Sequence, residues 1–470
     1  MEKFNLNDDR YFNPDPTIRK YARTIYDSVK NLPIISPHGH VDPQIFVDNR
    51  PFPNPTQLFL IPDHYVYRML YSQGIPMESL GVPTIDGSSV ENDPRKIWQL
   101  FAENYHLFLA TPSGNWLAYE FNKIFELEEK PNKENAQKIY DLIQDKLNTK
   151  EFLPRTLFEK FNIEVLSTTD AASDSLEPHK KIRESDWNKR IIPCFRPDAV
   201  TDLNVKNWKS NLRSLEKSVG YEITSFKTFI KALEERRTYF KKEGATSTDH
   251  GVFSPYTHEL TPSEVDLIFH RALNQKSEKD DARLFTAHML MEMARMSSED
   301  GLTMQIHPGS YRNHNEKVFN KYGLDKGCDI PMQTEYTVNL KELLNKYGNN
   351  PKLTVIIFTL DETTYSRELA PLAGHYPAMK LGPAWWFHDS IEGMSRFRRR
   401  VTETAGFYNT VGFNDDTRAF LSIPARHDLA RRVDSNYLAE LVAKHIISLY
   451  EAYTIARDLT YNLVKKAYKL

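Results

Sequence analysis

Short apolar, β-branched runs that stop abruptly at polar residues recur eight times along the 470-residue chain. They are LPIISPHGH (32–40), IEVLSTTD (163–170), RIIPCFRPD (190–198) and GATSTDHG (244–251), then LTMQIHPG (302–309), LTVIIFTLDE (353–362), AMKLGPAWWFHD (378–389) and NTVGFNDDTR (409–418). The fourth is the poorest in apolar residues. Runs of this length read as buried parallel strands. Helical stretches separate most of them. VNLKELLNKYG follows the fifth run with Gly348 as a C-cap, and SIEGMSRFRRRVTETAG follows the seventh and ends at Gly406. SNYLAELVAKHIISLYEAYTIARDL follows the eighth and repeats apolar residues at helical spacing. The connections after the third and fourth runs are long enough for two helices each. Eight strands alternating with helices predict an α/β fold, a (β/α)8 TIM-type barrel. A doubly wound open sheet is the alternative, and the count of eight favours the barrel.

The stretch from 44 to 160 breaks this rhythm. In DPRKIWQLFAENYHLF, Asp93 can cap a helix and Pro94 can take its first position. WLAYEFNKIFELEE and ENAQKIYDLIQDKL are also amphipathic at helical spacing. The expected organisation is therefore an N-terminal segment with the first barrel strand (1–43), an inserted helical subdomain (44–160), and the remainder of the barrel (161–470). The basic run RFRRR (396–400) reads as a solvated helix face.

Composition narrows the function. Apolar residues make up 40% and aromatic residues 12%, enough for a sizeable ordered core. A net charge of −2 lacks the basic excess of a nucleic-acid binder. Cys194 and Cys328 are the two cysteines, too few for a disulfide framework or a cysteine zinc site. A metal would have to be held by His, Asp or Glu. The opening MEKFNLNDDRYFNPDP lacks the basic start and apolar core of a signal peptide. No run approaches the roughly 18 apolar residues of a membrane span. A cytoplasmic protein with no nucleic-acid or membrane partner is expected, and a homo-oligomer is left open.

In a parallel barrel, chemistry gathers where strands end. The ends of these runs carry His38 and His40, Thr168–Asp170, Arg196–Asp198, Asp249–His250, Gln305 and His307 with Arg312, Asp361–Glu362, Trp385–Asp389 and Asp415–Arg418. Part of that pattern follows from the preference of turns for Asp. On a strand, residues two apart point to the same side, so His38 and His40 can reach one ion. Zinc suits imidazole and carboxylate ligands. A carboxylate from the last strand, adjacent in a closed barrel, would complete such a site.

These residues resemble a known family. PHGH on the first strand and DDTR at the eighth resemble the amidohydrolase superfamily. Within it, DHYVYRML (63–70), STTD (167–170), RPD (196–198), QIHPGSYRNHN (305–315), WWFHDSIEGM (385–394) and DTRAFLS (416–422) resemble the uronate isomerases, in order over most of the chain. The resemblance implies an aldose–ketose isomerase acting on a small-molecule hexuronate. The reactions implied are D-glucuronate to D-fructuronate and D-galacturonate to D-tagaturonate, with C2–C1 proton transfer through an enediol. It places one divalent metal, zinc by ligand type, on His38, His40 and Asp416. It places Asp416, Tyr65 and His64 in catalysis, and Arg196, Arg312 and Arg418 at the substrate.

Chemistry gives these residue types work to do. Asp416 can open the sugar ring and shuttle protons. Tyr65 can serve as a base if a cationic neighbour such as His64 or an arginine lowers its phenol. The planar fork of arginine suits the C6 carboxylate. His307 can be a third metal ligand, a donor to substrate or a core histidine, and Trp386 can stack on the sugar or pack in the core. His64 and Tyr65 can equally pack the insert on the barrel, and Arg196 can pair with Asp198. The chain departs from the family in Gly39, where Cys is common between the two histidines, and in His388, where Asn usually follows WWF. Asn414 and Asp415 before Asp416, and IPARHD (423–428), also differ from the usual pattern. The alternative function is a mononuclear metal-dependent hydrolase on the same barrel, with a non-catalytic sugar-acid binder as a third reading.

Overall fold

The computed structural model describes residues 4–61 and 63–470. The chain is a mixed α/β protein with parallel sheets. Its principal strands are β1 (Ile34–Ser36), β2 (Ile163–Ser167), β3 (Arg190–Ile192), β4 (Ser247–Val252), β5 (Thr303–Pro308), β6 (Val355–Ile357) and β7 (Met379–Leu381). β1, β2 and β3 form one sheet in that order, and β4 to β7 lie in a second. Short extensions of β2 at Asp170–Ala171 and of β3 at Phe195–Arg196 complete the second sheet beside β4. The break between the sheets is local, because Thr168 N and Asp170 N still donate to Ile192 O and Cys194 O at 3.0 and 2.9 Å. The spatial order therefore follows the chain order.

The eighth expected strand is reduced to a single parallel bridge, Leu381 to Thr410. Gly412 is the reason: it sits at φ 81°, a left-handed conformation that ends an extended run. The chain beyond it still touches β1, through a hydrogen bond from His40 N to Thr417 O of 2.9 Å.

Period-2 alternation sorts the apolar side chains. Ile34, Leu166 and Ile191 face the helices of 44–160 in one buried cluster. Their neighbours Ile35, Val165 and Ile192 face the other way, into a cluster with Ile356, Phe358 and Val411. The last helix, Leu463–Tyr468, closes the underside of that cluster: Tyr468 is 1% exposed and its hydroxyl donates to Gln305 Oε1 at 2.9 Å. β4, poor in apolar residues, is nevertheless fully formed. Its buried polar groups find partners within the strand and on its neighbours, Thr248 Oγ1 meeting His250 Nε2 at 2.9 Å and Ser247 Oγ donating to Cys194 Sγ.

The 44–160 stretch is helical, with its longest elements at His64–Ser72, Pro94–Glu103, Pro112–Tyr119 and Ala136–Leu147. Asp93 caps the second of these by accepting from Arg95 N at 2.9 Å, with Pro94 in the first turn. Trp98 is buried where that helix meets Ala136–Leu147, and its indole donates to Ala136 O at 2.9 Å.

Two local readings change and a third, Gly348 as a C-cap, holds. The helix expected over 435–459 is two helices, Ile423–Ala443 and Leu449–Arg457. His445 at φ 58° breaks it, and Ser448 starts the second with a capping box to Glu451. The RFRRR run is not a solvated face throughout. Arg398 is buried and makes a two-pronged pair with Asp434 at 2.6 and 2.9 Å. Gly348 does end its helix, but at φ −61°, so it is not there for left-handed backbone. Among the described residues, no helix is long and apolar enough to cross a membrane.

Candidate active site

The strand ends converge on one cleft with about 710 Å³ of empty space, its open mouth included. His40, Asp63, His64, Tyr65, Arg312, Asp325, Trp385, Trp386, Asp416, Arg418 and Arg426 line it. At its floor, Asp416 Oδ1 stands 3.1 Å from His40 Nε2 and 3.5 Å from His38 Nε2. The His307 ring stacks on His38 with centroids 4.8 Å apart. Donor atoms of His38, His307 and Asp416 all lie within 4.8 Å of one another; His40 stands outside that set, although its Nε2 approaches Asp416. His307 thus joins the group expected from His38, His40 and Asp416.

The orphaned Nε2 of His307, and the Nε2 of His38 that faces Asp416, suit a metal ion. His307 Nδ1 is 2.6 Å from Asp249 Oδ1, which fixes the proton on Nδ1 and leaves the lone pair of Nε2 facing the group. His307 Nε2 and His38 Nδ1 are buried and have no hydrogen-bond partner among the described residues. Burial pulls His38 down to about 4, so it is neutral at pH 7, as a ligand must be. Burial alone would raise the Asp416 carboxyl, but His38, then His40, outweigh it and hold it well below the usual range. Asp416 also adopts φ 39°, an uncommon conformation for a residue with a side chain.

Asp249, left without a role by sequence, sits behind the group. It is buried, and its second oxygen lies 3.3 Å from Arg196 NH1. Arg196 Nε donates to Asp198 Oδ2 at 2.7 Å. Arg196 is thus tied to two carboxylates beneath the cleft, the pairing its rival reading foresaw.

Arg312 and Arg418 reach the cleft itself. Arg312 NH1 donates to Asp329 Oδ2 at 2.8 Å and its guanidinium lies 5.2 Å from the centre of the Trp386 ring. Arg418 is only loosely held, 3.7 Å from Asp325. Trp386 lines the cleft in a left-handed conformation, φ 47°.

Asp63 caps the helix His64–Ser72 by accepting from Tyr65 N at 2.8 Å, and so aims His64 and Tyr65 into the cleft. The two rings stack with centroids 4.8 Å apart. The expectation that a cationic His64 lowers the Tyr65 phenol is not met. Burial, then Arg418, pulls His64 down to about 3, so it is neutral. Burial, reinforced by Asp389, pushes the Tyr65 phenol well above its ordinary value against the charge of Arg426.

Sequence reasoning places Asp389 and Asp415 at strand ends without a role and does not single out Arg426. Arg426 is buried and donates to Asp389 at 3.1 Å, and His427 meets Asp415 at 2.9 Å. The RHD triplet was a visible signal for these pairs, but its partners lie elsewhere in the chain. Of the two departures, Gly39 has little spare room: a Cβ there would stand 3.2 Å from Thr417 O and 3.6 Å from Asp415 Oδ1. His388 Nε2 meets Leu360 O at 2.9 Å.

The glucuronate isomerase family model matches residues 9–468. The chain belongs to the glucuronate isomerase family. A uronate isomerase of Nostoc punctiforme is 54% identical over 466 residues, covering 99% of this chain and 98% of that protein. The crystal structure of a glucuronate isomerase from Caulobacter crescentus superposes with a TM-score of 0.98 at 53% identity, covering 99% of this chain and 97% of that one. A uronate isomerase structure from Thermotoga maritima superposes with a TM-score of 0.92 at 26% identity, covering 99% of each chain. Family members thus share this fold along nearly the whole chain.

Proposed function

We propose that this chain is a uronate isomerase that interconverts aldo- and keto-hexuronates, D-glucuronate with D-fructuronate and D-galacturonate with D-tagaturonate. The observation that carries this is the cleft itself. A His–His–Asp floor and two guanidinium groups share one space with a Tyr–His pair. An aldose–ketose isomerisation asks for the same parts: groups at the C1 and C2 oxygens, a proton carrier near C2, and a cation for the C6 carboxylate. His38, His40, His307 and Asp416 would hold one divalent ion, zinc by ligand type. Such an ion supplies Lewis-acid polarisation of the C1 and C2 oxygens.

The chain's own residues do the rest. Asp416, ionised, takes the O1 proton as the sugar ring opens, and O5 gains a proton as the C1–O5 bond breaks. Tyr65 carries a proton on the C2 side, beside His64. Arg418, and with it Arg312, meets the C6 carboxylate by charge-assisted hydrogen bonds. Trp386 offers an aromatic face to the sugar. Arg196 acts from beneath, by orienting Asp249 and through it His307.

The strands close into a (β/α)8 barrel in this reading, with 44–160 as the insert after the first strand and 161–470 as the rest. Two observations support closure. β1, β2, β3, β6 and Val411 share one interior cluster, and His40 N reaches Thr417 O. The test of function is direct. Purified protein supplied with zinc, then with other divalent ions, is incubated with each uronate, and ketose is measured. No ketose from either sugar sinks the reading. Hydrolysis of a lactone or amide in its place would favour the hydrolase alternative.

A further inference from the structure

The wall behind Tyr65 holds a buried charged group that the reading above leaves idle. Asp389 is 7% exposed. Its Oδ2 accepts from Tyr65 Oη at 3.4 Å and from Arg426 NH1 at 3.1 Å. Its Oδ1 is buried with no hydrogen-bond partner among the described residues. Arg426 is held in turn from several sides. Its guanidinium lies 3.5 Å from the centre of the Trp116 ring, Nε donates to Ser422 Oγ at 3.1 Å, and NH1 also donates to Asp415 O at 3.2 Å. Tyr65 meets the same Trp116 ring edge-on at 5.6 Å. Three segments distant in sequence therefore meet at one carboxylate oxygen.

The meeting answers a difficulty in the chemistry. A phenol buried as Tyr65 is buried stays protonated across the neutral range and cannot rest as a phenolate. It can accept a proton from carbon only while passing its own proton on. Asp389 is the carboxylate hydrogen-bonded to it. A separation of 3.4 Å is long for transfer, as is usual before substrate closes a site.

We propose that Tyr65 and Asp389 form a proton relay, with Arg426 clamping the Asp389 carboxylate. The inference rests on the isomerase reading. In the aldose-to-ketose direction the C2–H bond breaks, its electron pair forms the C1–C2 double bond, and the carbonyl pair moves onto O1. The C2 proton goes to Tyr65 Oη as the phenolic proton goes to Asp389 Oδ2. On return, Asp389 gives its proton back to Tyr65, Tyr65 delivers one to C1, and the O2 proton passes to O1 to leave a ketone at C2. The relay ends in its starting state, with no oxidant or reductant consumed. Asp389 touches no substrate atom and acts through Tyr65. Burial, working against Arg426, raises its carboxyl to about 7, which suits proton exchange near neutral pH.

The experiment compares the full chain, metal-loaded, with Asp389→Asn, Asp389→Glu, Tyr65→Phe and the Tyr65→Phe/Asp389→Asn double variant. The substrate is D-glucuronate carrying hydrogen or deuterium at C2. The relay expects Asp389→Asn to lose about 10²–10⁴-fold in kcat with KM within about threefold, and to show a larger C2-deuterium effect. The double variant should be no worse than Tyr65→Phe alone, within about threefold. A folded Asp389→Asn with kcat near wild type, or losses that multiply in the double variant, overturns the relay. Should Asp389→Asn fail to fold, Asp389→Glu decides: the relay expects a displaced pH profile of kcat, and an unmoved profile overturns it. Wild type that makes no ketose overturns the isomerase reading and the relay together. Wild-type turnover with an indifferent Asp389 overturns the relay alone.

Discussion

Trp385 Nε1 donates to Asp416 Oδ2 at 2.6 Å, on the opposite side of the carboxylate from His40, whose Nε2 stands 3.1 Å from Oδ1. One oxygen is thus anchored by a buried indole and the other is turned to the histidines. The indole donor fixes which oxygen faces the cleft floor. Replacing Trp385 with Phe keeps an aromatic ring but removes that donor. Metal affinity and kcat/KM should each fall about 10–100-fold, the usual cost of losing a partner behind a ligand. Competition with a metal indicator, alongside turnover, measures both. Unchanged metal affinity would show that the indole does not orient Asp416.

Asp249 connects the buried His307 ring at 2.6 Å to the partly exposed guanidinium of Arg196 at 3.3 Å. Asp249→Asn should have two separable consequences. His307 loses the acceptor that fixes its tautomer, so metal affinity drops about 10–100-fold. Arg196 keeps only Asp198, and because its guanidinium is partly exposed the loss costs about 1 kcal/mol of stability. Urea titration of metal-free protein isolates the second effect. If the metal-free variant is as stable as wild type, the pair is not holding the strand ends together.

Much of this arrangement was legible in the chain itself. β6 falls inside its apolar run because a buried parallel strand is apolar on both faces, and β5 and β7 fall inside theirs because Met304, Ile306, Met379 and Leu381 keep one face apolar. Asp93–Pro94 marks a helix start through a purely local hydrogen bond, so local sequence suffices. The eighth strand was over-read because Val411 and Phe413 look extended in sequence, while Gly412 between them turns left-handed. Arg398 was misjudged because a basic run says nothing of Asp434 on another helix. The roles of Asp249 and Asp389, both visible at strand ends, and of Arg426 stay hidden for the same reason. Each is defined by partners 37 to 324 residues away, which no local pattern encodes.

Arg418 is held only at 3.7 Å by Asp325, whereas Arg312 is bonded to Asp329 at 2.8 Å. The less committed guanidinium is the better grip for an incoming carboxylate. Arg418→Ala should raise KM for D-glucuronate about 10–100-fold, the worth of a charge-assisted hydrogen bond, with a smaller rise for Arg312→Ala. Inhibition by D-glucuronamide, which lacks the C6 charge, should be nearly the same in wild type and Arg418→Ala. Equal losses for the acid and the amide would remove Arg418 from the carboxylate.

Glu120 lies buried beside a smaller chamber lined by Asp63, Trp116 and Arg426, just inside the cleft wall. Burial, then the charge of Asp63, raises its carboxyl to about 8 against the pull of Arg426. Between about pH 4.5 and 8 the unfolded chain releases this proton while the folded chain keeps it. The folded state then binds more protons, so stability falls as pH rises, by at most about 1.4 kcal/mol per pH unit from this group. Above about 8 the folded carboxyl ionises too and the slope disappears. Glu120→Gln removes the ionisable group while keeping its size. Urea unfolding at pH 5, 6.5 and 8 should find the variant close to wild type at the lowest pH and increasingly more stable at the higher two. A difference that is constant across the three pH values would mean that Glu120 is charged in the folded protein, with Arg426 as its counter-ion.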